Sequence, residues 1–118
     1  MELKYTATAG PHKADANIQR RQKLAWRIDQ QIGYVRQMIE GGQPRAAWIW
    51  RDEAGSYFLP IRYGRLPLEL KKGMFSIQCA DIDSVEAALC TVRAMVLQGD
   101  FDDQLAKVSA EIRAKFKE

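Results

Sequence analysis

Residue types that build reactive sites are scarce in this sequence. It has one histidine, His12, and two cysteines, Cys79 and Cys90, with no CxxC. A zinc site would lack ligands, and a disulfide framework is not indicated. Both thiols read as reduced core residues. No apolar run approaches the roughly 20 residues that span a bilayer, and Met1 to Gly10 lacks the apolar centre of a signal peptide. Those absences predict a cytoplasmic protein with no membrane partner. The glycines form no phosphate-binding loop, because Gly41-Gly42 follows a helix instead of preceding one. His12 has no Ser or Cys nucleophile near it and reads as solvated. The acid clusters Asp81/Asp83 and Asp100/Asp102/Asp103 have no EF-hand spacing and fall where helices begin, so capping is the expected role. No catalytic residue, cofactor or metal is expected, and the chain reads as a non-enzyme.

What is present is ordinary globular material. The 118 residues are 47% hydrophobic and 28% charged, enough for one domain with one core. Charge is unevenly spread. Residues 1–45 hold eight Lys/Arg against four acids, a balance of +4, whereas residues 79–118 hold five against eight, a balance of −3. Such a split attracts a polyanion to one end, or lets opposite ends of neighbouring copies attract each other.

Periodicity supplies the elements. Residues 1–14 are weakly periodic and read as a flexible arm, leaving 15–118 as a single domain. From Asn17 to Glu40, Leu24, Ile28, Ile32, Val35 and Ile39 mark one helical stripe, ended by Gly41-Gly42. Gly33 inside it suggests close approach of another backbone. Ala46–Arg51 and Ser56–Tyr63 then read as a hairpin around the loop Asp52-Glu53-Ala54-Gly55, pairing Trp50 with Tyr57 and Trp48 with Leu59. That register places both tryptophans in the core, and a loop one residue longer or shorter reverses it. Strands at Leu66–Leu70 and Met74–Cys79 complete a meander, with Phe75, Ile77 and Cys79 on one side. Pro60 and Pro67 each remove a ladder donor and require an open side or an irregularity. Asp83 with Glu86 resembles a capping box for a helix carrying Val85, Leu89, Val92 and Val96 as far as Gly99. Asp100 is then expected to cap a last helix with the stripe Phe101, Leu105, Val108, Ile112 and Phe116. The sum is an α+β fold: an N-terminal helix, a four-stranded antiparallel β-meander and two C-terminal helices in a two-layer sandwich.

Two surfaces suit binding. Opposite the stripe of the first helix, Arg20, Lys23, Arg27, Gln30 and Tyr34 share a face, flanked by Arg21. Regularly spaced cations can follow a phosphate backbone. The same row is also what a solvated helix face looks like. Arg51, Arg62, Arg65, Lys71 and Lys72 form a second basic group, with Arg62, Phe58 and Ile49 expected on the outer sheet face, where arginine beside aromatics suits stacked bases. Lysines at turns also deter edge-to-edge aggregation. Trp26 points away from the stripe, which marks an interface or a packed arm.

Trp48-Ile49-Trp50, Gly55, Tyr57-Phe58-Leu59-Pro60-Ile61-Arg62-Tyr63-Gly64, Leu68-Glu69-Leu70 and Gly99-Asp100 resemble an uncharacterised domain-of-unknown-function family of proteobacteria and their phages and mobile elements. The resemblance covers roughly residues 20–118 and rests on structural positions. It implies a bacterial cytoplasmic setting and a role in a nucleic-acid transaction or in interference with a host protein, and it carries over no catalytic residue.

The leading expectation is a nucleic-acid-binding accessory protein using Arg20, Arg21, Lys23, Arg27, Arg62 and Arg65. The alternative is a protein-interaction module, an inhibitor or adaptor, using Trp26, Tyr34, Ile49 and Phe58. A two-fold homodimer through antiparallel first helices is also expected, its competitor being an arm folded back over Trp26.

Overall fold

The computed structural model describes residues 2–5, 7 and 16–116. Its elements are helix α1 (Ala16–Ile39), strands β1 (Trp50–Arg51), β2 (Tyr57–Pro60), β3 (Arg62–Tyr63), β4 (Leu66–Pro67) and β5 (Ser76–Cys79), and helices α2 (Ile82–Leu97) and α3 (Asp102–Phe116). The class is α+β, as the periodicity predicts. Most of the expected arm, and His12 with it, lies outside the described residues.

Helix ends follow their local chemistry. Gly41 takes φ +96°, and the N–H groups of Gly41 and Gly42 donate to the carbonyls of Met38 (3.0 Å) and Gln37 (2.7 Å). That is a Schellman stop. Gly99, at φ +92°, repeats it for α2, with Gly99 and Asp100 donating to Val96 (3.0 Å) and Met95 (3.1 Å). Two expected caps move. Asp81, not Asp83, caps α2, its carboxylate accepting from the Ser84 N–H at 2.8 Å. Those bonds hold the Asp81 carboxyl below its usual pKa. Asp100 does not cap α3, because the helix begins at Asp102 and Phe101 holds the cap position, its carbonyl accepting from Leu105 N–H at 2.9 Å.

The strands pair differently from a meander. One sheet has the order β1-β2-β5, and β3-β4 form a separate ribbon. The first hairpin registers Trp50 with Phe58 and Arg51 with Tyr57, one residue away from the expected pairing. The cause lies in the turn. Asp52 and Ser56 pair through the Asp52 N–H and Ser56 C=O (3.0 Å), and Asp52 accepts from Gly55 N–H (3.1 Å) on its carbonyl and from Ser56 N–H (2.9 Å) on its carboxylate. The loop is therefore three residues, ending in Gly55 at φ +90°, the bulged turn next most common after two-residue loops. Parity reverses, and Trp50 is 52% exposed, not in the core.

β1 is also shorter than expected, and Pro60 explains it. Continuing the ladder would pair Trp48 with Pro60, which has no N–H to give. The Trp48 N–H instead donates to the Gln31 side-chain oxygen (2.8 Å), and the Gln31 amide donates to the Ala46 carbonyl (3.1 Å). The segment is thus tied to α1, which lets Trp48 and Ile49 both rest half-buried against the core. Ile49 accordingly is not on the outer face. Gln31 itself is only 4% exposed. Gln31→Leu should cost about 1–3 kcal/mol, since two backbone groups lose their partner. Faster hydrogen exchange at the Trp48 amide would report it, and unchanged exchange would contradict the clamp.

Pro67 obeys the open-side rule. Leu68 N–H donates to Ile61 C=O (2.7 Å), so the intervening pair Arg62–Pro67 needs no Pro67 donor. The core joins Leu24, Ile28 and Val35 of α1 with Leu59, Ile61, Tyr63, Leu68 and Cys79, and with Val85, Leu89, Val96, Phe101 and Leu105. Burial raises the Cys79 pKa. Cys90, expected beside it in the core, is exposed, because it sits one position past Leu89 on the outer side of α2. Ile39 and Phe75 also end exposed. A Cβ on Gly33 would meet nothing within 4 Å, so no backbone approaches it closely.

Candidate functional site

α1 packs on both later helices, and among the described residues three ion pairs fasten it there. Arg21 forms a two-pronged bridge to Asp102, with Nε donating at 2.9 Å and a second nitrogen to the other carboxylate oxygen. Arg36 reaches Glu86 at 2.7 Å, and Asp29 accepts from Arg93 at 2.7 Å. In two of these pairs the basic front of the chain meets its acidic back inside one molecule, which consumes part of the charge asymmetry. The hydrogen bonds from Arg21 hold the Asp102 carboxyl below its ordinary pKa. Its stabilising contribution is complete above the unfolded value and fades as pH falls through the folded one. Asp102→Asn should accordingly flatten the loss of stability as pH falls below the ordinary carboxylate range, as read by denaturant midpoints. A pH profile parallel to the unmodified chain would contradict the bridge.

Arg21 is thereby diverted from the expected basic face, and Gly99 makes room for it: a Cβ there would sit 2.7 Å from the guanidinium. The neighbouring cations take a different course. Arg20 is half-buried, and its guanidinium donates to Asn17 at 3.0 Å. One turn on, the Lys23 ammonium lies over the Tyr63 ring, 5.8 Å from its centroid. Tyr63 is buried in β3, and its hydroxyl accepts from Ser109 of α3 at 3.4 Å. Arg113, one turn beyond Ser109, completes the far wall. Together Gln19, Arg20, Lys23, Tyr63, Ser109 and Arg113 line a cleft of about 320 Å³ between α1, the β3-β4 ribbon and α3. Its ionisable side chains other than the tyrosine are all cationic. Asp102, at the start of α3, is held by Arg21.

The other expected residues fall around this cleft or away from it. Arg27 is exposed on α1, one turn past Lys23, and Arg62 and Arg65 are exposed in β3 and its turn, flanking Tyr63 and Gly64 in the chain. Gly64 seats the turn on α3, since a Cβ there would lie 3.3 Å from Ile112. Phe58 stacks on Trp50 on the outer sheet face, with ring centroids 4.2 Å apart and planes within 12°. Arg51 lies over Tyr57 at 5.5 Å. Trp26 is 58% exposed, and Tyr34 is half-buried. Arg113, Tyr63, Ser109 and Gln19 were not among the expected site residues. Arg113 belongs to the segment with net negative charge, so counting charge by stretches of chain hides it, and its spacing of four from Ser109 was the available signal.

Among the described residues, no group of three or more His, Cys, Asp or Glu side chains could hold a metal ion, and no helix is long and apolar enough to cross a membrane. The cleft's chemistry is thus that of an anion seat: two guanidinium groups, an ammonium and two hydroxyls around a space large enough for a phosphate group. No family model, curated protein or solved structure matches this chain.

Proposed function

We propose that this chain is a non-enzymatic nucleic-acid-binding accessory protein that seats backbone phosphate in the cleft between α1 and α3. One observation carries the reading: Arg20, Lys23 and Arg113 come together from two helices in the wall of one cleft with Tyr63 and Ser109, while Asp102 of α3 is paired with Arg21. Convergence from elements distant in sequence distinguishes a seat from a solvated helix face. Arg27, Arg62 and Arg65 would contact neighbouring phosphates. A bacterial cytoplasmic setting, encoded by a phage or other mobile element, belongs to the same proposal.

Fluorescence anisotropy with labelled single- and double-stranded DNA and RNA at low salt tests it. Binding that weakens steeply with added salt is the expected result. Absence of binding to all four would overturn the reading. A second reading, a module that binds a host protein, is favoured by the exposed Trp50–Phe58 stack and by Trp26. A mainly apolar protein interface would be far less sensitive to salt.

A further inference from the structure

We propose that β5 is a self-pairing edge, through which two copies of this chain join into one continuous antiparallel sheet. The inference is independent of the anion cleft and uses a different face. β5 ends its sheet, and the register determines which of its peptide groups are free. Asp52 N–H donates to Ser56 C=O, and by the alternation of an antiparallel ladder Phe58 also points its peptide groups toward β1. Tyr57 and Leu59 then point toward β5, where they pair with Cys79 and Ile77. Ser76 and Gln78 consequently direct their N–H and C=O groups to the outer side, where no strand follows the short Lys71–Met74 bridge that closes the turn into β5, Leu70 N–H donating there to Met74 C=O at 2.8 Å. Both residues are exposed.

Three features commit this edge to a second copy. First, antiparallel pairing of a strand with itself is what a two-fold axis generates, and the same patch then serves both sides. Setting Ser76 of one copy opposite Gln78 of the other satisfies the free groups with about four new backbone hydrogen bonds. Second, the ends of the strand are complementary in charge. Lys71 and Lys72 precede β5 and Asp81 and Asp83 follow it, so reversal of direction lays the basic end of each copy along the acidic end of the other. Third, an apolar groove of about 430 Å³ runs beside β5, lined by Leu70, Met74, Ile77, Ala88, Val92 and Met95. Phe75 is 45% exposed, and strand alternation places it on the same side as Ile77. In the paired sheet, Phe75 and Ile77 of the second copy enter this groove. The antiparallel α1 interface expected from the sequence has less to offer, since Arg21, Asp29 and Arg36 of that helix are already engaged within the chain.

Sedimentation equilibrium of the full chain over a wide concentration range is the test. The expected result is a reversible equilibrium between 13.5 kDa monomer and dimer. Gln78→Pro, which removes an outward N–H at an edge position where proline is tolerated, should weaken the dimer at least tenfold. Ala88→Glu, which puts a charge in the groove without touching the strand, should do the same with unchanged circular dichroism. Reversing Lys71 and Lys72 to Glu should weaken it, and adding Asp83→Lys should restore it. A single monomeric species throughout would overturn the proposal. So would a dimer indifferent to these changes but lost on Trp26→Ala, or a monomer that instead takes up an extended apolar peptide along β5.

Discussion

Replacing Arg20, Lys23 and Arg113 together by alanine should lower affinity for nucleic acid on the order of 10²–10³-fold at about 50 mM salt, because three phosphate contacts and their released counterions are lost. The slope of log affinity against log salt should flatten by about 2.7 on duplex DNA, at roughly 0.9 per contact. Stability should barely change. Among the described residues Arg20 bonds to the exposed Asn17 of its own first turn, and Lys23 contributes a long ring contact. Arg21→Ala is the informative control. It lies next to Arg20 in the chain but is committed to Asp102, so its loss should reduce stability and, by leaving the Asp102 carboxylate unpaired, lower affinity without removing a phosphate contact, changing the salt slope far less than the triple variant does. A triple variant with an unchanged slope would move the phosphate contacts elsewhere.

The second large effect concerns the core and the sheet register. Leu59 is fully buried and pairs with Ile77 on the inner face. Leu59→Ala should cost about 3–5 kcal/mol through lost transfer energy and a cavity. Trp50 removes far more volume when truncated, yet on the outer face it loses chiefly its stack on Phe58 and partial burial. Trp50→Ala should therefore cost only about 0.5–1.5 kcal/mol. Urea midpoints decide between the two registers. A loss at Trp50 as large as at Leu59 would place the tryptophan in the core and restore the four-residue loop.

That contrast shows what sequence pattern conveys and what it cannot. The helices were legible because a stripe repeated over many turns tolerates single exceptions such as Gly33, and because Gly41 and Gly99 mark their stops. The α+β class followed. Strand pairing turns on one residue of loop length, and the Asp52 carboxylate and Gly55 decide it through bonds that alternation does not encode. The fate of β1 depended on Pro60 meeting Trp48 across the hairpin, and on Gln31, a polar residue on the buried side of α1 whose partners lie in a later segment. Charged residues were least legible. Arg20, Arg21 and Lys23 look alike in sequence, yet one donates within its own turn, one bridges to α3 and one covers an aromatic ring. Only the packing of α3 against α1 separates them and adds Arg113.

The most direct test of the central claim is to follow backbone and side-chain amide resonances of the ¹⁵N-labelled full chain while a short oligonucleotide is added at low salt. The largest shifts should fall at Gln19, Arg20, Lys23, Tyr63, Ser109 and Arg113, with smaller ones at Arg27, Arg62 and Arg65. Shifts confined to Trp50 and Phe58, or to β5, with the cleft residues unmoved, would contradict the assignment of the cleft as the phosphate seat.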